Sequence, residues 1–263
     1  MPPPPSALDA LRAVSLDDLD ARAALLRRVD RKYLIGRDTF AWLVGRLADD
    51  HDVLEIDGRR SFGYESVYFD TPDLLCFHDH VADRSPRFKV RSRLYVDTAT
   101  CRFELKVKAR DGETTKEQLP LDPAEHGTVT PQGREFLDEH LPRLVGGERA
   151  PELAPTLVTR FSRSTLAARS GGERVTSDGA LELVRPDGAA MRLDPALVLI
   201  ETKSETGESG ADRLLAGRGC EPVSLSKYRA GIGLLVAEDP DPPLGVGLER
   251  WFSPAEAASF PRG

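Results

Sequence analysis

The chain has 263 residues, 40% of them hydrophobic and 30% charged, and a net charge of −7. That composition suits a globular fold of one large domain or two small ones, and a net acidic chain lacks the broad basic surface of a non-specific duplex binder, so no nucleic-acid partner is expected. Cys76, Cys101 and Cys220 follow no metal or disulfide spacing, and there is no apolar run of membrane-spanning length and no signal peptide, so a reducing, cytoplasmic setting without a membrane segment is expected.

Met1–Ser6 is proline-rich and reads as a disordered start. Leu8–Val14 and Leu16–Arg27 read as short helices, the second capped by Ser15. Arg27–Ile35 reads as a strand with Arg28, Asp30 and Lys32 on one face, and Asp38–Leu47 as an amphipathic helix burying Phe40, Leu43, Val44 and Leu47. Strands are predicted over His51–Ile56 and Ser61–Phe69, then a turn at Asp70-Thr71-Pro72 and a short helix over Leu74–His80.

Pro86–Arg110 organises the chain. It reads as a hairpin turning near Asp97–Thr100, because apolar and polar residues alternate on both sides of the turn. Lys89, Arg91, Arg93 and Tyr95 share one face of the first strand; Arg102, Glu104, Lys106 and Lys108 share one face of the second. Like charges directly opposed across a sheet are destabilising, so this face predicts an anionic ligand.

Thr114–Leu121 reads as the next strand, with Lys116 and Gln118 on one side, and Pro123–Leu144 as a helical region broken around Gly127–Pro131. Val145–Pro155 reads as a Gly/Pro-rich connection. Further strands are read at Pro155–Thr165, carrying Arg160, at Glu173–Val184, with Arg174, Thr176 and Asp178 on one face, at Gly188–Leu193 and at Ala196–Lys203, where Glu201 and Lys203 share a face. Ser209–Arg218 reads as a helix, and Ser224–Leu235 as a strand end entering a helix at Lys227. Asp239–Gly263 reads as a loosely packed tail.

Of the 36 basic residues only seven are lysines: Lys32, Lys89, Lys106, Lys108, Lys116, Lys203 and Lys227. Against an arginine background, each lysine is a candidate for a position that needs a compact ammonium. At least five separate strands offer a basic residue on an alternating face. An antiparallel barrel with those faces turned inward satisfies the pattern, because buried cations need partners and a chain of phosphates supplies them. A carboxylate such as Glu201 among cations suits Mg2+ or Mn2+ shared with phosphate oxygens. No Walker or kinase-type glycine loop is present.

RVDRKYL, ESVYFDTP, KVRSRLY, FELKVK, VTRFSR, RVTSDGAL, LIETK and SLSKY, in that order, resemble the VTC domain, over roughly Arg28–Leu235. This is the polyphosphate polymerase domain of vacuolar transporter chaperones and their bacterial relatives, within the CYTH-like triphosphate tunnel metalloenzymes. The resemblance implies an α+β fold around an eight-stranded antiparallel β-barrel with helices outside. The domain would span residues 28–236, between a helical lead-in (1–27) and a tail (237–263). It implies an enzyme that moves the terminal phosphoryl of ATP onto polyphosphate, with Mn2+ or Mg2+ as cofactor and ATP and polyphosphate as partners. By resemblance, Lys32, Arg91, Arg93, Lys106, Arg160 and Arg174 act on the phosphates, and Lys108, Lys203, Lys227 and Tyr33 bind substrate, while Glu201 holds the metal. The sensor domain and membrane helices of the eukaryotic polymerases are not found in this sequence, which leaves a membrane-protein partner unknown. Asp30 stands where many tunnel enzymes carry a glutamate, so metal number stays open. So does the reaction: polymerase, tunnel triphosphatase acting on short polyphosphate or a nucleoside triphosphate, or non-catalytic polyphosphate binder. All three expect the basic candidates and Glu201 to line one cavity.

Overall fold

The computed structural model describes residues 7–22, 29–236, 247 and 249–256. In chain order these form β1 (Arg12–Val14), α1 (Leu16–Arg22), β2 (Val29–Gly36), α2 (Arg37–Leu47), β3 (His51–Leu54), β4 (Phe62–Asp70), α3 (Leu75–Val81), β5 (Arg87–Tyr95) and β6 (Thr100–Lys108). There follow β7 (Thr114–Leu121), α4 (Pro131–Val145), β8 (Ala154–Ala168), β9 (Arg174–Val184), β10 (Ala189–Leu193), β11 (Leu197–Ser204), α5 (Gly210–Gly217), α6 (Lys227–Leu235) and β12 (Phe252–Glu256). The fold is α+β, with a large, mainly antiparallel sheet. It divides into two units, one of Met1–Phe62, Ser162–Ala180 and Asp194–Leu225, the other of Gly63–Phe161, Leu181–Leu193 and Ser226–Gly263.

In the first unit β11 lies between β2 and β9, antiparallel to both, while β3 pairs with β1 in parallel and with β8 antiparallel. Alternation along β2 sends Tyr33 and Ile35 into a core with Val198 and Ile200 of β11, Val175 of β9, Leu43, Val44 and Leu47 of α2, and Leu215 of α5. Arg12–Val14 is a strand where a helix was expected. Its register against Asp52–Leu54 buries Val14, a tertiary pairing that overrides local helix preference in so short a segment. A capping box starts α5: Ser209 Oγ accepts from the Asp212 N–H, and the Asp212 carboxylate accepts from the Ser209 N–H.

In the second unit β4, β5, β6 and β7 form an antiparallel meander. The β5–β6 hairpin turns through Val96–Thr98 and Ala99, close to the predicted turn. Its apolar face, with Val90, Phe103 and Leu105, is buried, and α4 packs on it with Phe136 edge-on to Phe103. Thr130 caps α4 by accepting from the Gly133 N–H, and Pro131 stands in the first turn, where no N–H is missed.

The strand order here is β12-β10-β9-β8-β4-β5-β6-β7. The expected closed eight-stranded barrel is therefore corrected. Among the described residues the sheet counts twelve strands, and its hydrogen-bonded path has free ends at β7 and β12. Pro120 in β7 suits such an edge, since proline cannot donate to a further strand. β12 also falls where a loose tail was expected: Phe252–Glu256 pairs antiparallel with Leu193–Ala189, burying Phe252. Arg28, Met1–Ser6 and the end of the predicted Leu16–Arg27 helix lie outside the described residues.

Candidate functional site

The predicted site residues fall into two groups, one in each unit. In the second unit the strand registers stack cations into rows. Lys89 lies opposite Lys106, which lies opposite Lys116; Arg93 lies opposite Arg102; and Arg87 lies opposite Lys108. Between the first two rows Arg91 faces Glu104, which faces Gln118. On this face of β5, β6 and β7, Glu104 is the one acid among eight basic residues. Arg91 and Glu104 form a forked pair: Arg91 Nε donates to Glu104 Oε2 at 2.6 Å and Nη2 reaches it at 2.5 Å. Arg91 Nη1 donates to the Tyr68 hydroxyl at 3.0 Å. The other Glu104 oxygen takes the Lys116 ammonium at 2.7 Å and the Gln118 amide at 3.1 Å. Burial pushes the Glu104 carboxyl up, but Arg91, Arg93 and Lys116 outweigh it and hold the pKa down at about 2. Arg91 and Arg93 likewise lower the pKa of buried Tyr68 against desolvation.

The same face continues on β4 and beside α6. Arg93 donates to Ser66 Oγ at 3.1 Å and lies over the Tyr64 ring. Lys227, the first residue of α6, sits 4.4 Å from the centre of the Phe161 ring. Asp70 fixes α6 in place by accepting from the Tyr228 hydroxyl and from the Cys76 and Phe77 N–H groups of α3. Lys106 is exposed, and Lys108 reaches Asp83 at 3.9 Å.

Arg160 does not join this group. It shares the opposite face with Glu65, which accepts from Arg160 Nε at 2.6 Å and lies 3.3 Å from His126 Nε2. Phe161, the next residue of β8, stacks on Tyr64, on the face that carries Arg93. Successive residues of a strand point to opposite faces, and that separates Arg160 from Arg91. Its expected place among the phosphate-gripping cations is corrected accordingly.

In the first unit a second charged face spans β2, β11 and β9. Glu201 lies opposite Lys32 and Thr176; Lys203 lies opposite Asp30 and Arg174; Leu199 lies opposite Leu34 and Asp178. The Lys203 ammonium bridges Glu201 at 2.8 Å and Asp30 at 3.4 Å, and Lys32 reaches the other Glu201 oxygen at 3.4 Å. Desolvation raises the Glu201 pKa, but the charges of Lys203, Lys32 and Arg163 reverse this and hold it well below the carboxylate range. Asp178 takes both Nε and Nη2 of Arg163, at 2.6 and 2.8 Å. Lys32, Glu201, Lys203 and Arg174 thus share one face.

Tyr33 does not share it. One residue on from Lys32, it points into the core with 1% exposure, and its hydroxyl donates to Asp212 at 2.8 Å. Burial, with the Asp212 charge, pushes its pKa up to about 12. Substrate binding by Tyr33 is corrected to a packing role.

The profile of the VTC domain matches residues 27–236. The chain belongs to the VTC domain family. Comparison with curated proteins finds no match. Among solved structures, this VTC domain chain is similar to an adenylyl cyclase candidate from Hippeastrum with a dominant triphosphatase activity, at 16% identity and TM-score 0.49, covering 80% of this chain and 98% of that one. It is also similar to an adenylate cyclase candidate from Bacillus halodurans, at 16% identity and TM-score 0.45, covering 80% and 98%. A third, from Vibrio parahaemolyticus, gives 14% identity and TM-score 0.42, covering 76% and 94%.

The candidate site read from the sequence omits several residues of these VTC domain faces, among them Glu104, Lys116, Tyr68 and Arg163. The alternation of Thr114–Leu121 already put Lys116 on the basic side. Arg160 and Arg163, three apart in VTRFSR, necessarily take opposite faces, and nothing local says which face is which. Among the described residues no three acidic, histidine or cysteine side chains are grouped to enclose a metal. The donor set therefore does not fit an all-protein cage. A Mg2+-type ion at Glu201, whose two oxygens here take Lys32 and Lys203, would need its other ligands from outside the protein.

Proposed function

We propose that this chain is a metal-dependent polyphosphate polymerase that transfers the terminal phosphoryl of ATP to a polyphosphate chain. The observation that carries the reading is the β5–β6–β7 face, where eight basic residues surround one acid. Like charges stand directly opposite one another in the Lys89–Lys106–Lys116 row, which is unfavourable in a sheet, and a polyanion would offset it. Membership of the VTC domain family supports the phosphate-chain class of substrate.

Arg91, Arg93, Lys106 and Lys116 contact phosphate oxygens in the second unit, with Lys108 and Lys227 binding substrate. Lys32, Lys203, Arg174 and Arg163 supply phosphate contacts in the first unit. A terminal oxygen of the polyphosphate chain attacks the γ-phosphorus of ATP, and the bond to the β,γ-bridging oxygen breaks. ADP leaves with the electron pair, and no proton need move between ionised phosphates. Such a transfer asks the protein mainly for alignment and for stabilisation of charge on the equatorial oxygens, which fixed cations provide. Glu201 would hold Mg2+ or Mn2+, which would supply positive charge to offset that of the phosphoryl oxygens.

The test is incubation of purified protein with ATP, Mn2+ and a short polyphosphate primer, with products resolved on a gel beside Lys106→Ala. Chains that lengthen with the wild type and not with the variant support the reading. Release of orthophosphate alone replaces it with a triphosphatase, and unchanged ATP with measurable polyphosphate affinity replaces it with a binding protein.

A further inference from the structure

Glu104 occupies an unusual position on the basic face. It is 2% exposed, yet it lies at the centre of the cation rows and contacts two of the proposed phosphate ligands at once. One carboxylate oxygen takes two nitrogens of Arg91; the other takes Lys116 and Gln118. Tyr68 meets Arg91 on its remaining nitrogen. A guanidinium has five N–H groups and an ammonium three, so these contacts orient both cations and leave each with donor capacity for a ligand. A general counter-charge would need no such geometry. Long basic side chains lose conformational freedom when they grip a ligand, and a buried acid that orders them beforehand removes part of that cost.

We propose that Glu104 is a positioning residue that pre-sets the Arg91 guanidinium and the Lys116 ammonium to receive phosphate oxygens. The inference rests on the proposed phosphate chemistry of this face. It makes the one acid part of the machinery, although a lone negative charge opposes binding of a polyanion. Glu104 thereby trades ground-state affinity for alignment during transfer.

The experiment compares Glu104→Gln, Glu104→Asp and Gln118→Ala with wild type. Tripolyphosphate affinity is read by calorimetry, kcat and KM with ATP and primer, and melting temperature by scanning. Glu104→Gln removes a negative charge and turns an amide N–H2 toward one of the two cations. Its affinity for tripolyphosphate is expected to hold or tighten up to several-fold, while kcat falls tenfold or more. Glu104→Asp restores the charge one methylene short and recovers part of the kcat. Gln118→Ala removes one hydrogen bond and leaves no buried charge unpaired; it lowers kcat two- to five-fold at unchanged affinity. A kcat within twofold of wild type in Glu104→Gln overturns the proposal. So does a parallel loss of affinity, kcat and melting temperature in both Glu104 variants with Gln118→Ala unaffected, which is the mark of a purely structural acid. Failure of the wild type itself to bind tripolyphosphate overturns the functional reading and is seen before any variant is compared.

Discussion

Replacing Arg160 by alanine separates what strand parity says from what the VTRFSR motif suggests. Arg160 lies against Glu65, and both side chains are under a fifth exposed. Desolvation raises the Glu65 pKa, but His126 and Arg160 together lower it from 4.5 to about 2. At about 1.4 kcal/mol per pH unit that lowering is worth roughly 3 kcal/mol of stability at neutral pH. Arg160 holds the shorter of the two contacts, 2.6 Å against 3.3 Å. Assigning it somewhat more than half gives a cost of about 2 kcal/mol for Arg160→Ala, or roughly 4–8 °C in melting temperature. The pH dependence follows from the sign of the shift. A carboxyl with a depressed folded pKa contributes stability above its unfolded value near 4.5 and loses it as pH falls through about 2. The gap between wild type and variant is therefore full at pH 7 and closes toward pH 2. Urea unfolding at several pH values measures it, and calorimetry with tripolyphosphate at pH 7 should find affinity within twofold of wild type. A tenfold loss of affinity with unchanged stability would refute the argument and return Arg160 to the phosphate face.

Three more predictions come from other parts of the chain. Tyr33→Phe removes the hydrogen bond to Asp212 and should cost about 1 kcal/mol in urea unfolding, with tripolyphosphate affinity unchanged; an affinity loss would place Tyr33 at the ligand after all. Gly231→Ala sets a methyl 2.3 Å from Leu157 Cδ2 inside the second unit, so unfolding should show a loss of roughly 1–3 kcal/mol. Glu201→Gln should lower metal-dependent turnover by about a hundredfold, roughly 2.7 kcal/mol of barrier, while tripolyphosphate still binds; unchanged kcat at saturating Mn2+ would remove Glu201 from the metal.

The hairpin of β5 and β6 was legible because each of its strands alternates over nine residues, and one face of each is buried under another element. The same logic read β7 from Thr114 to Leu121 and the shared face of Glu201 and Lys203. β1 and β12 were not legible: three and five residues carry too little periodicity, and their pairing with β3 and β10 is a long-range fact. Tyr33 and Arg160 show a different failure. Each lies one residue from a residue of the charged faces, Lys32 or Phe161, and the period of two sends each to the opposite side. Motif likeness places residues along the chain but does not assign a face. The role of Glu104 needed the register of three strands, since only the pairing of Arg91 with Glu104 and of Glu104 with Gln118 brings its partners together.

The most direct measurement is phosphorus NMR of the wild-type protein with ATP, Mg2+ and a short polyphosphate primer, followed over time. A polymerase yields one new mid-chain phosphate for each ADP formed, with little orthophosphate, and that is the expected result. ADP accompanied by an equal amount of orthophosphate, and no growth of the mid-chain signal, would contradict it.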